Sequence, residues 1–249
     1  MKQNKIRVLY DSLVVNNEIL VVGDMHIGYE DQFASRAVFP NVQLKNIISK
    51  FNKIFRILDN EGIGVKQVVI LGDLKHDFRR ISDQEWAETL KLIDYLDGKI
   101  KEGEKEKIVV IKGNHDNILE PILRKREKVR LKDVYEVGGV CFLHGDRWSN
   151  RCLNSKILVM GHLHPAITLS DKYKREKFKC ILRGKWKKKE VYVLPSFSSV
   201  SFGHDLQDTA GGDDHLFIDD DKLKSFEVII YNYKEGKALN FGKLKKLVK

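Results

Sequence analysis

The chain has 249 residues, 42% of them hydrophobic and 32% charged, which fits one soluble α/β domain spanning residues 1–249. No apolar run approaches the roughly 18 residues of a membrane span, and residues 1–10 lack the apolar core of a signal peptide, so a cytoplasmic protein without membrane contact is predicted. The formal net charge of +10 attracts polyanions such as nucleic acid, although the lysine- and glutamate-rich surface of a heat-adapted protein would explain it equally well.

Short apolar runs rich in Val, Ile and Leu recur along the chain, and most of them end in a glycine followed by a polar residue. Such runs are typical of strands that are covered on both faces. The five clearest are residues 18–22, 67–71, 107–111, 140–143 and 156–160.

Helical patterns lie between the first of these runs. Residues 41–60 carry apolar side chains at a 3.6-residue spacing. Residues 82–96 begin with a capping box formed by Ser82 and Glu85. A shorter helix is predicted at residues 117–126, where a proline favours a kink or an early end. The alternation of strand and helix implies strands that are at least partly parallel.

From residue 134 onward the pattern changes to β-hairpins, the first of them turning at Gly138 and Gly139. Further strands are predicted at residues 178–182, 190–194, 215–218 and 226–231. Residues 203–214 are predicted to form a mobile loop. The whole pattern predicts an α/β fold in which two mixed β-sheets pack face to face with helices outside.

The chain has three cysteines, Cys141, Cys152 and Cys180, with no CxxC spacing. An odd number without that spacing suggests neither a disulfide framework nor a zinc ribbon. Cys141 stands within the apolar run 140–143, where a small buried hydrophobic residue is the expectation.

The polar residues that follow the strands share a chemical character. They are two carboxylates, one amide and several imidazoles, at Asp24, His26, Asp73, Asn114, His144, His162 and His164. Strand ends at the carboxyl edge of an α/β sheet bring such side chains together, and a glycine beside them permits a close approach of the backbone.

This ligand set, which has no thiolate, suits manganese, iron, zinc or nickel better than calcium. Seven side chains are more than one ion needs, but they fill two sites if one carboxylate bridges. Two ions about 3.5–4 Å apart that polarise a phosphate and share a hydroxide are a known route to phosphoester cleavage.

The five motifs resemble the signature of the calcineurin-like metallophosphoesterase superfamily, which is D-x-H, G-D, G-N-H-[DE], H and G-H-x-H in this order. The resemblance covers residues 23–165. It implies a four-layer α-β-β-α sandwich and two divalent ions, with manganese as the expected metal. By this resemblance Asp24, His26 and His164 hold one ion, Asn114, His144 and His162 hold the other, and Asp73 bridges them.

The resemblance also assigns two residues next to the ligands. His115 becomes the candidate acid, which protonates the leaving oxygen or stabilises charge on the phosphate. Asp116 is expected to orient the imidazole ring of His115. The hydroxide between the ions is the implied nucleophile, so no covalent enzyme intermediate is expected.

A narrower resemblance concerns His76. Residues 72–76 resemble the G-D-L-F-H motif of SbcD-type DNA repair nucleases, in which the histidine lies beside the substrate; a surface histidine is the alternative. Residues 23–30 and 161–165 are similar to the archaeal SbcD-related phosphoesterases and the bacterial DNA-ligase-associated phosphoesterase. Tyr29 and Arg36 could then line the mouth of the pocket, with surface or packing roles as equal alternatives.

Residues 172–189 contain ten Lys or Arg with three aromatic residues between them. Phosphate neutralisation together with stacking is a common way to hold single strands, and Lys185 and Trp186 are the candidate substrate contacts. A solvated hairpin whose aromatic side chains point inward is the alternative.

The sequence thus predicts a two-metal phosphodiesterase that acts on a phosphodiester, with DNA or RNA as the favoured substrate. A phosphatase or phosphodiesterase for small nucleotides is the second hypothesis. A non-catalytic scaffold that kept the fold is the third. A homodimer is left open.

Overall fold

The structure is a computed structural model that describes residues 4–29, 42–77, 81–101, 105–207 and 215–248. Within these residues the chain forms sixteen strands and four α-helices, each numbered along the chain. The helices are α1 (Val42–Asn60), α2 (Asp83–Lys99), α3 (Glu120–Leu123) and α4 (Asp220–Leu223).

The first sheet has six strands that follow one another in chain order. They are β1 (Ile6–Leu9), β2 (Ser12–Val15), β3 (Ile19–Val22), β4 (Gln67–Ile70), β5 (Ile108–Ile111) and β6 (Val129–Lys132). The pairs β1–β2 and β2–β3 are antiparallel, whereas β3, β4, β5 and β6 are parallel neighbours. The parallel part requires crossover connections, which α1, α2 and α3 provide.

Ten further strands form a small sheet and a large one. In chain order they are β7 (Val134–Val137), β8 (Val140–Leu143), β9 (Ile157–Met160), β10 (Pro165–Ser170), β11 (Arg175–Lys179), β12 (Ile181–Trp186), β13 (Lys189–Val193), β14 (His204–Asp205), β15 (Glu227–Asn232) and β16 (Lys237–Lys243). The large sheet has the order β16-β15-β12-β13-β9-β8-β7, in which β8, β9 and β13 are parallel. The small sheet has the order β11-β10-β14.

Two long helices form because their sequences place an apolar stripe and a capping box where a helix needs them. The apolar side chains that α1 buries are Leu44, Ile47, Phe51, Ile54, Phe55 and Leu58. At the start of α2 the Ser82 side chain accepts from the Glu85 amide, and the Glu85 side chain accepts from the Ser82 amide, which satisfies two amides that the first turn leaves unpaired. None of the helices in the described ranges is long and apolar enough to cross a membrane.

Three clusters of buried apolar residues separate the layers. One lies between the helices and the outer face of the first sheet, a second between the two large sheets, and a third on the far side of the second large sheet. The predicted sandwich of two mixed sheets is therefore confirmed. In the described part of the chain the far side is covered by the small sheet and short helical segments instead of long helices.

Several element predictions differ from the structure. The run 178–182 is divided between β11 and β12, which belong to different sheets and meet at the buried Cys180. Residues 215–218 form a loop and not a strand. The side chains of Leu216 and Ile218 pack into the core from this loop, which explains the apolar residues without a strand. The predicted loop 203–214 contributes β14 to the small sheet, and residues 208–214 lie outside the described residues.

The cysteine prediction was wrong for one pair. Cys141 in β8 and Cys152 form a disulfide, with Cα atoms 5.6 Å apart, which is within the normal range. The segment between them leaves the carboxyl end of β8 and folds back, so the two thiols meet despite an uninformative spacing. Cys180 is a free, buried thiol. Because disulfides persist mainly in oxidising compartments or in cells of hyperthermophiles, the cytoplasmic location stays a prediction.

Candidate metal centre

The candidate ligands follow the carboxyl ends of parallel strands in both large sheets. Asp24, Asp73 and Asn114 come after β3, β4 and β5 of the first sheet. His144 and His162 come after β8 and β9 of the second sheet. Since both sheets present these strand ends at the same side of the sandwich, all five motifs meet at one place, as the sequence predicted.

The backbone is unusual at four of the seven candidate ligands. His26, Asp73, His162 and His164 have positive φ angles of 48°, 46°, 66° and 49°. Non-glycine residues rarely adopt this left-handed region, and each instance costs about 1–3 kcal/mol unless the surroundings hold it. Such conformations cluster at functional sites, which independently marks these residues as a site.

Two glycines of the motifs are required by the approach of a ligand from another motif. A Cβ atom at Gly113 would lie 2.1 Å from Asp73 Oδ1, and one at Gly161 would lie 2.3 Å from Asp24 Oδ1. The glycine of one motif therefore makes room for the carboxylate of another. At these two positions the need for glycine therefore has a direct physical reason.

The first ligand cluster consists of Asp24, His26 and His164. His164 Nε2 lies 3.2 Å from Asp24 Oδ2 and 3.3 Å from His26 Nε2. The backbone amide of His162 donates to both carboxylate oxygens of Asp24, at 3.1 and 3.3 Å. Burial acts to raise the pKa of Asp24, but the neighbouring imidazole of His164 outweighs it and leaves the pKa lowered.

The second ligand cluster consists of Asp73, His144 and His162, with Asn114 beside it. Nδ1 of His144 lies 2.8 Å from the Leu71 carbonyl oxygen, so Nδ1 carries the proton and Nε2 presents its lone pair. Around this Nε2 lie Asn114 Oδ1 at 2.9 Å, His162 Nδ1 at 3.0 Å and Asp73 Oδ2 at 3.5 Å. A set of converging lone pairs of this kind fits a divalent cation.

Asp73 connects the two clusters. Its Oδ2 lies 3.5 Å from His144 Nε2 and 4.0 Å from His26 Nε2, while its Oδ1 accepts from the His115 amide at 2.9 Å. Burial, followed by the charge of Asp24, raises the pKa of Asp73 to about 9. Two buried carboxylates this close need a compensating positive charge, so the donor set fits the two ions that the sequence implies.

His115 and His76 lie next to this centre. Their rings stack with centroids 5.4 Å apart, and the ring of His26 meets both of them edge to face. Nδ1 of His115 is within hydrogen-bond distance of the His76 carbonyl oxygen. Burial lowers the pKa of His115 to about 4.

The structure describes one of the two residues predicted at the mouth of the pocket. The ring of Tyr29 packs edge to face on His76, with centroids 4.7 Å apart, which places Tyr29 at the site. Arg36 lies outside the described residues.

Asp116 is positioned differently from the expectation. Its fully buried carboxylate accepts from the backbone amides of Gly113 at 3.0 Å and Leu74 at 3.1 Å, with the Lys75 amide at 3.5 Å. These bonds join the loop after β4 to the loop after β5. The position behind the His115 ring is taken by the His76 carbonyl oxygen, so the structure supports a loop-clamping role for Asp116.

Gln43 and Glu85 support the centre without having been singled out in the sequence. Gln43 Nε2 donates to the carbonyl oxygens of Met25 and His26 at 3.0 and 2.7 Å, and it does so from the buried face of α1. A polar residue within the apolar stripe of a helix is the signal that would have revealed it. Glu85 Oε1 accepts from the His76 and Asp77 amides at 3.3 and 3.1 Å.

The structure does not bring Lys185 and Trp186 to the metal centre. Trp186 pairs with Lys189, the first residue of β13, whereas the candidate ligands follow the carboxyl end of the parallel strand β9. The Trp186 ring packs against the rings of Trp148 and Phe217, with a centroid separation of 5.2 Å in both cases. Its neighbours thus favour the inward-pointing alternative for this aromatic residue.

Several solved structures are similar to this chain. A nuclease named MPE from Pseudomonas putida is similar in structure, with 17% identity, a TM-score of 0.59, and coverage of 92% of this chain and 96% of that chain. YfcE, a phosphoesterase from E. coli, has 14% identity, a TM-score of 0.39 and coverage of 86% and 88%. Zinc-complexed Vps29 from Entamoeba histolytica has 16% identity, a TM-score of 0.37 and coverage of 89% and 96%.

The likeness to the nuclease shows a shared fold. A search among curated protein sequences gives no significant match. The model of the calcineurin-like phosphoesterase family matches residues 18–208, a span that begins before the first candidate ligand and ends after the last. The chain therefore belongs to the calcineurin-like phosphoesterase family.

Proposed function

We propose that the protein is a two-metal phosphodiesterase that cleaves nucleic acid strands. Membership of the family makes it a metal-dependent phosphoester hydrolase. The observation that carries the finer proposal is the position of Asp73, a buried carboxylate within 4.0 Å of imidazoles from both ligand clusters. Manganese is the proposed ion; the seven oxygen and nitrogen donors fit it, as they also fit iron, zinc and nickel.

Asp24, His26 and His164 would hold one ion and Asn114, His144 and His162 the other, with Asp73 between them; when bound, the ions would supply polarisation of the phosphate and activation of a water molecule. The chain's own residues fix the geometry of that reaction. The Leu71 carbonyl oxygen holds His144 in one tautomer, and Gln43 ties the two peptides that flank His26 to α1. His115, whose Nε2 lies 3.8 Å from Asp73 Oδ2, is the proposed contact for the phosphate and is proposed to act on the leaving oxygen.

A polynucleotide is the proposed substrate class. The net charge of +10 favours a polyanion. His76 stacks on His115, and we expect it to contact the nucleotide beside the cleaved phosphate. The shared fold with a protein whose name identifies it as a nuclease is compatible with this assignment.

A substrate panel tests the proposal. Manganese-loaded protein is assayed with an aryl phosphomonoester, an aryl phosphodiester, cyclic nucleotides, single-stranded and duplex DNA, and RNA. We expect hydrolysis of the aryl diester and of at least one polynucleotide, with polynucleotide cleavage falling steeply as salt rises. Metal content is measured on the same samples, and two ions per chain are expected.

Other outcomes distinguish the rival functions. If small nucleotides are hydrolysed at a rate that does not depend on salt, the substrate is a small nucleotide and not a polynucleotide. Stoichiometric metal without turnover of any phosphoester would identify a scaffold and contradict the proposal.

A further inference from the structure

We infer that the groove between β11 and β16 binds a single-stranded polynucleotide and leads it to the metal centre. This inference rests on the proposed function. It concerns a surface that contains none of the candidate ligands, and it names the form of substrate that the enzyme takes.

The groove, termed the β11–β16 groove, has a volume of about 610 Å³. Its walls include the aromatic residues Phe178, Tyr231, Tyr233 and Phe241. Tyr233 and Phe241 are 54% and 39% exposed, so they present ring surface to solvent. The Tyr233 hydroxyl donates to Asp11 Oδ1 at 2.7 Å, which holds that ring in place. Fixed, exposed rings are the platforms on which bases of any sequence stack.

The rim of the β11–β16 groove is basic. Lys174, Lys177 and Lys234 line it and are exposed. Glu176 is the acidic residue among the described lining residues, and it lies 2.7 Å from Lys174. The excess of positive charge beside stacking surface is complementary to a phosphate backbone that carries unpaired bases.

The β11–β16 groove is linked to a candidate ligand by a short chain of hydrogen bonds. Lys177 Nζ donates to the Gly203 carbonyl oxygen at 2.7 Å, and the next amide, that of His204, donates to the carbonyl oxygen of the ligand His164 at 2.8 Å. Phe202, one residue before Gly203, is 77% exposed. We therefore expect a strand that lies in the groove to pass Lys177 and the Phe202 ring on its way to His164.

The basic segment 172–189 is thus divided by the fold. Its first part, which contains Lys174 and Lys177, lines the groove. Its later part forms the turn between β12 and β13, where Lys187 and Lys188 are exposed at the amino end of β13. These two lysines provide a charge-matched control on the same chain.

Binding measurements test the inference. The probes are fluorescent dT12 and U12 with phosphorothioate linkages, and the proteins are manganese-loaded wild type, Lys174→Ala/Lys234→Ala, Phe241→Leu and the control Lys187→Ala/Lys188→Ala. The first variant should reduce the slope of log Kd against log salt by about 1.4, from about 0.7 for each lost phosphate contact on a single strand. Phe241→Leu should weaken binding about fivefold or more, whereas the control should bind like wild type.

An abasic 12-mer should bind wild type more weakly than dT12, because it has no bases to stack. For the same reason its affinity should not change in the Phe241→Leu variant. Hydrolysis of an aryl phosphodiester should be unchanged in all variants. Equal losses in the groove variant and the control, or an abasic strand that binds like dT12, would overturn the inference.

Further outcomes separate the inference from the proposed function. If wild type cleaves oligonucleotides and the groove variants do so equally well, the inference fails and the function stands. If wild type hydrolyses the aryl diester but neither binds nor cleaves a polynucleotide, both fail. A dimer in sedimentation that Phe241→Leu dissociates would assign the groove to a second copy of the chain and also overturn the inference. Tighter binding of dT12 would identify DNA as the substrate and tighter binding of U12 would identify RNA; either result supports the inference.

Discussion

Substitution of Asp116 tests whether the two ligand loops are held by a buried carboxylate. In the Asp116→Ala variant the amides of Gly113 and Leu74, at 3.0 and 3.1 Å from the carboxylate, lose their acceptor. Each unsatisfied buried donor costs about 1–3 kcal/mol, so the free energy of unfolding should fall by about 2–6 kcal/mol. The more distant Lys75 amide, at 3.5 Å, adds little.

A loss of that size is large beside the roughly 5–15 kcal/mol by which domains are stable, so a milder variant is needed as well. Asp116→Asn keeps the shape and one oxygen acceptor but turns an NH₂ group toward a donor. We expect it to fold, with an unfolding free energy lower by about 1–3 kcal/mol. Its affinity for manganese should fall too, because the two amides adjoin the loops that carry Asp73 and Asn114.

Urea unfolding and calorimetric titration with manganese provide the two measurements. Asp171→Ala is the control, since Asp171 also accepts from two backbone amides, at 2.7 and 2.8 Å, but is exposed, so that water can replace it. If Asp116→Asn keeps wild-type stability and manganese affinity and loses only kcat, Asp116 orients the His115 ring as the sequence suggested, and the clamp is refuted.

Three further predictions concern other parts of the centre and its support. His115→Ala should keep its metal and lose most turnover, whereas Asp73→Ala should lose both, as metal analysis and the aryl diester assay will show. Ser82→Ala should lower the free energy of unfolding by about 1 kcal/mol, as the loss of a helix cap does, and leave turnover unchanged. Glu85→Ala also removes the acceptor of the His76 and Asp77 amides, so it should lower stability and turnover together. Burial lowers the pKa of Lys179 to about 7. Between about pH 10.5 and pH 7, Lys179 is therefore protonated in the unfolded chain and neutral in the folded protein. As the pH falls across that window, stability should therefore fall by up to about 1.4 kcal/mol per pH unit, and urea unfolding at pH 7 to 10 should show that Lys179→Met removes this dependence.

The sequence revealed most of the metal centre, because its signals are local. Each ligand follows a buried strand, and three motifs carry a glycine whose missing side chain leaves room for a ligand of another motif: Gly72 for His144, Gly113 for Asp73 and Gly161 for Asp24. Strands β3, β4, β5, β8 and β9 were predicted for the same reason, since a run of branched apolar residues favours a covered strand. Spacing along the chain was enough to place these residues together.

The remaining features depend on which segments meet in space, and that is not a local property. The disulfide forms because the chain after β8 folds back, so that Cys152 reaches Cys141. The run 178–182 passes from one sheet to another at Cys180, a change that no apolar pattern marks. Asp116 adjoins His115 in sequence, but its bonds go to the opposite loop.

The location of strain in this fold has a physical consequence for the site. Four ligands adopt left-handed backbone conformations, which cost about 1–3 kcal/mol each when nothing compensates. At His26 hydrogen bonds provide that compensation: its amide donates to the Asp73 carbonyl oxygen at 2.8 Å, and its carbonyl oxygen accepts from Gln43 of α1 at 2.7 Å. Because a strained conformation persists only where its surroundings determine it, the helices and loops behind the ligands are as much a part of the metal centre as the imidazoles themselves.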